Sequence, residues 1–188
     1  ALDEFARVST EGDAGRRKAI SGMMDEDAFH LRLSEIFNDY LLTDKYHSRN
    51  GSEAAISLLS SDDFPNRRWF DPGKENRGEN YNAERRATND GVAREPLELI
   101  SHVVRNDLPF TQILTADYMM VNPLSAKTYG VEGLPFSSPS DANEFLPVQL
   151  ADVPHAGILT SPMFLNRYPT TSTNRNRGRA RVVFDLFL

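Results

Sequence analysis

The chain has 188 residues, is 39% hydrophobic and 26% charged, and carries a formal net charge of -6. That is the composition of one ordinary globular domain, and its acidic balance excludes non-specific nucleic-acid binding through global charge. It has no cysteine, which excludes disulfides, thiolate metal sites, a cysteine nucleophile and covalent c-type haem attachment within this chain.

The opening "ALDEFARVSTEGD" reads like the inside of an acidic helix, not like a basic leader. The chain is therefore expected to be a piece of a longer protein. A short helix is predicted over about residues 13–24, its end weakened by Gly22. The next helix, "DEDAFHLRLSEIFNDYLLTDKY", is the clearest. Phe29, Leu33, Ile36, Phe37, Tyr40 and Leu41 fall on one stripe, which is expected to be buried, and Asp25 or Asp27 is placed to cap its start. "GSEAAISLLS" reads as a further short helix with Ser52 as N-cap.

Residues 60–93 show no sustained period and mix Asp, Asn, Arg and Gly. They are read as a long irregular loop of functional length, anchored by Trp69 and Phe70. Its carboxylates do not follow calcium-loop spacing, and the arginines between them point to ion pairing instead. Helix resumes in "REPLELISHVVRNDLPFTQILTADYMMV", with Pro96 in the first turn and Leu97, Ile100 and Val104 on one face. A break at Asn106-Asp107 leads to a second helix with Phe110, Ile113 and Leu114. In "NPLSAKTYGV" Asn122 is the cap, Pro123 the first helical position and Gly130 the stop. A Pro/Ser/Gly loop follows at about 132–143. "EFLPVQL" is a short strand candidate, as is the 153–159 region. Helix is expected again from Ser161, and a terminal helix over 176–188. These elements predict a mainly α fold: one irregular helical module over 1–188, with long loops and at most a short β hairpin.

No stretch approaches the roughly 20 apolar residues of a membrane helix. Phosphate-binding loops, nucleophile elbows and helical zinc motifs are absent from the sequence. The four histidines are far apart in sequence and form no metal-ligand spacing. His30 reads as a helix-surface residue, His47 as a solvated turn residue and His102 as core-edge packing. His155, between a proline and "AGILT", is the one candidate for ligand or proton-transfer use. Arg167, Arg175, Arg177, Arg179 and Arg181 form the one basic cluster. His155 with Arg175, Arg177 and Arg181 is the candidate cofactor-binding set, since guanidinium groups fork onto propionate or phosphate. The alternative for the arginines is structural pairing with the acidic body. Catalytic residues are not identifiable, and no metal ligand set is predicted.

"LPFTQILTADYMMVNPLSAKTYGV" and "HAGILTSPMFLNRYPTTSTNRNRGRARVVFDLFL" resemble adjoining motifs of a family of exported bacterial proteins, best known from planctomycetes and also found in proteobacteria, whose function is not established. "DEDAFHLRLSEIFNDYLL" resembles the start of the same unit. The resemblance implies a periplasmic or extracellular setting. It also implies c-type haem (CxxCH) in a flanking domain or partner, with no cofactor in this chain. The expected function is an exported scaffold or docking module beside a haem electron-transfer domain, with a following domain or partner subunit covering the apolar terminal helix. The alternatives are an extracellular hydrolase-like enzyme domain and a purely structural subunit of a membrane-associated assembly.

Overall fold

The computed structural model describes residues 2–49, 52–173 and 176–188. Among these the fold is mainly α: α1 (Leu2–Met24), α2 (Asp27–Leu41), α3 (Tyr81–Arg105), α4 (Gln112–Thr115), α5 (Pro123–Thr128), α6 (Pro162–Arg167) and α7 (Arg177–Phe187). They accompany one two-stranded antiparallel sheet of β1 (Met119–Val121) and β2 (Leu146–Val148). No helix among the described residues is long and apolar enough to cross a membrane.

α1 contains a break at Gly12, where φ is +59°. A left-handed backbone there suits glycine alone among common residues, so the predicted 13–24 helix is the second half of a bent pair. In α2 the buried residues are His30 and Leu41, with Leu33 and Phe37 packed against the core. Ile36 and Tyr40 are exposed. The apolar stripe is thus rotated from the predicted one, and His30 occupies the place expected of an apolar side chain. It is 4% exposed, with Nδ1 3.0 Å from Ser101 Oγ. The surface reading of His30 is corrected: one hydroxyl on the facing helix lets an imidazole replace a hydrophobe. His47 is not simply solvated either, because its Nε2 is buried.

The largest departure is α3. It begins at Tyr81, so 81–93 is helix, and only 60–80 of the predicted loop is irregular, containing a single 3-10 turn at Lys74–Asn76. The buried face of α3 carries Tyr81, Thr88, Asn89, Gly91, Val92 and Ala93 before Glu95, Pro96, Leu99, Ile100 and Val103. Half of that face is polar or small, so it carries no hydrophobic period. Pro96 lies in mid-helix, not in the first turn, and removes one backbone donor there.

Asn89 explains a second correction. "GSEAAISLLS" forms only a 3-10 turn at Ile56–Leu58. Ser52 Oγ accepts from Arg49 N, while the Ala55 and Ile56 N–H groups donate to Asn89 Oδ1 at 2.9 and 3.4 Å. The Asn89 amide donates to Tyr46 O at 2.7 Å. One buried side chain on α3 therefore fixes a connecting segment by its backbone, and a longer helix is not needed to satisfy those donors.

Trp69 and Phe70 anchor the 60–80 segment as expected. Phe70 is buried, Trp69 Nε1 donates to Leu124 O at 3.1 Å, and Lys127 Nζ stands 4.1 Å from the Trp69 ring centre. Ion pairs link Arg77 to Asp71 and both Arg68 and Arg85 to Glu53.

The end of "ADYMMV", Met119–Val121, is β1, not the end of a helix. Met120 enters the cluster of Leu41, Leu99, Ile100, Val103, Ile113, Ile158 and Phe164, while Met119 and Val121 enter another with Ala126. That alternation is the period of a strand. β1 pairs with β2 in the register Met119↔Val148, Met120↔Pro147, Val121↔Leu146, with α5 between them in sequence, so the sheet is not a hairpin. Asn122 caps α5 with a full capping box to Ser125, and Gly130 follows at φ +68°, as predicted.

Candidate functional site

Where α3, β1 and the turn before α6 meet, a small cavity of about 20 Å³ is lined by Glu95, Pro96, Leu99, Met119, Met120, His155, Gly157, Ile158, Ser161 and Pro162. α3 brings Glu95 to it from the same face that buries Val92 and Leu99. "GILT" brings the opposite wall. Gly157 has φ +49°, and a Cβ there would lie 2.0 Å from Ile113 O, so only glycine fits between the turn and α4. The Gly157 and Ile158 N–H groups donate to Ala116 O and Ile113 O at 2.8 and 2.9 Å. These bonds hold the turn against the α4–β1 connection.

Glu95 is the unusual group. It is 5% exposed, and a carboxyl taken out of water resists ionisation. Burial pushes it well above the usual carboxylate range, opposed chiefly by the hydrogen bond from the Tyr129 hydroxyl. Tyr129 donates to Glu95 Oε2 at 2.8 Å. The phenol is itself pushed well above its usual value by burial and by Glu95. Glu95 Oε1 has no hydrogen-bond partner among the described residues, and neither has Ser161 Oγ, in a residue 6% exposed. Chemically this is a buried carboxyl–phenol pair in which burial favours the protonated form of both groups, beside a space of water size.

His155 lines the same cavity. Its Nδ1 lies 3.1 Å from Thr160 Oγ1, which also accepts from Ala156 N. Burial lowers its pKa, with Asp117 acting the other way, so the ring is held neutral. The arginines proposed to accompany it are elsewhere. Arg177 is exposed in the first turn of α7, and Arg181 is exposed and pairs with Asp185 on its own helix at 3.4 Å. Neither lines the cavity. Arg175 lies outside the described residues. Arg179 is structural: it donates to Tyr168 O at 2.7 Å and Leu165 O at 3.1 Å, closing the last carbonyls of α6. The described arginines of the cluster thus do not converge on His155.

Sequence reasoning passed over Glu95 and Tyr129. The signal available was positional: Glu95 stands three residues after Val92 and four before Leu99, on the apolar face of the helix. Among the described residues no group of three His, Asp or Glu side chains is placed to hold a metal ion.

Residues 10–131 match the family model described as "PSD4: Protein of unknown function (DUF1592)". No curated protein and no solved structure matches the chain.

Proposed function

Because this chain belongs to the PSD4 family of proteins of unknown function (DUF1592), we propose that it works as a helical docking module of an exported protein, in the periplasm or outside the cell. It stands beside a c-type haem electron-transfer domain, in the same polypeptide or in a complex. The haem setting and the export rest on the motif resemblance. The docking role is carried by one observation: aromatic side chains stand exposed beside the terminal helix, although the chain has a well-filled apolar core. Phe110 is 52% exposed and Phe184 66% exposed. Phe110 stands 6.2 Å from Phe187, which stacks at 6.2 Å on Phe37. Aromatic surface of this kind marks interaction sites.

The cavity at Glu95 is far below the roughly 300–1,000 Å³ of a small-molecule site, so under the hydrolase alternative a substrate would have to bind elsewhere than in that cavity. The haem would be held by other residues than these, since His155 is half-buried over that cavity and the described arginines stand apart from it.

The test is isolation of the tagged chain from its native host under mild conditions, with haem read as the pyridine haemochrome. Haem should accompany the wild type. Haem on a separate subunit should be lost in a Phe110→Asp/Phe184→Asp variant whose melting temperature is unchanged; haem on the same polypeptide should stay, but its domain should become separable by limited proteolysis. Haem-free wild-type material would end the haem reading, and a variant that matches the wild type in both haem content and proteolysis would end the assignment of this face.

A further inference from the structure

Glu95 and Ser161 both line the small cavity beside α3, and each has a buried side-chain oxygen without a hydrogen-bond partner among the described residues. We infer that this cavity is a binding site for one water molecule, held by Glu95 Oε1 and Ser161 Oγ. The inference stands apart from the docking role and depends only on the interior.

Three observations carry it. The first is need. Glu95 Oε1 and Ser161 Oγ are buried without a hydrogen-bond partner among the described residues, although nearly all buried polar atoms in folded proteins have one. The second is room. A cavity of about 20 Å³ exceeds the roughly 10–15 Å³ needed to hold a water molecule, and it is too small for two. The third is chemistry. Tyr129 donates to Glu95 Oε2, which leaves Oε1 as the unpartnered oxygen. Water is both donor and acceptor, so it pairs with Oε1 in either protonation state of the carboxyl and with Ser161 Oγ as well. The remaining walls include Leu99, Met119, Met120 and Ile158, which give a cation no negative partner other than Glu95 itself. Burial raises the Glu95 pKa well above the usual carboxylate range, which disfavours the charged form and with it ammonium or a metal ion as ligand.

The experiment uses the full chain with carbon-13-labelled methionine and isoleucine methyls. Cross-relaxation from water to the methyls of Met119, Met120 and Ile158 should show a long-lived bound water in the wild type. It should persist in Glu95→Gln, whose amide offers a donor in place of the acid. It should vanish in Ser161→Val, which removes the hydroxyl and fills the space. No water signal at these methyls in the wild type, or a signal unchanged in Ser161→Val, would overturn the inference. Should Ser161→Val not fold, a high-resolution crystal structure of the wild type decides. Ordered solvent within hydrogen-bonding distance of both atoms supports the site, and its absence there rejects it.

Discussion

A folded state that keeps a proton after the unfolded chain has released it is weakened by alkali. Glu95 is such a group, because burial raises its pKa. Its contribution to stability is complete below about pH 4.5, the value of the free side chain, and is lost as pH rises toward its folded value. Three partly or fully shielded imidazoles act on the other side. His30, His102 and His155 are all lowered from 6.5, each chiefly by burial. Their contribution is present above 6.5 and is lost as pH falls through the lowered values. We predict that urea midpoints decline on both limbs. In Glu95→Gln, which keeps the acceptor for Tyr129, the alkaline limb should flatten while the acid limb stays. An alkaline limb as steep as that of the wild type would mean that another group controls it.

Elements in this protein are fixed by side chains distant in sequence. Asn89→Ala should expose the Ala55 and Ile56 amides to hydrogen exchange while α3 amides at Leu99–Val103 stay protected, since the Asn89 carbonyl oxygen is the acceptor for both. Equal protection in wild type and variant would contradict the cap. In α7, Val182, Val183 and Phe187 pack on the core while Phe184 does not, so Phe187 and not Phe184 carries the packing of the terminal helix. Phe187→Ala should cost roughly 1–3 kcal/mol for a half-buried ring. Phe184→Ala and Arg181→Ala should each cost under about 1 kcal/mol, as read by denaturant midpoints. These cases also mark what the sequence discloses. Local chemistry is legible: Asn122-Pro123 with Gly130, the helical 27–41 segment, the Trp69 anchor. Burial through polar residues is not, because His30, Asn89 and Glu95 each reach the interior by virtue of a partner 71, 34 or 34 residues away in the chain. Periodicity sees only the near neighbours.

At the scale of the molecule, the family match ends at Val131, yet β2, Ile158, Met163 and Phe164 lie beyond it and complete the sheet and the core. A chain cut after Val131 should lack cooperative unfolding and protected amides, as circular dichroism and hydrogen exchange would show. α3 has a wider thermodynamic effect. Its 25 residues place Leu99, Ile100 and Val103 in one apolar cluster and Tyr81, Val92 and Ala93 in another. Neither cluster can melt without fraying the rod that braces its neighbour. The two halves therefore share a single transition temperature: calorimetric and van't Hoff enthalpies should agree, and heat should take the domain apart in one step.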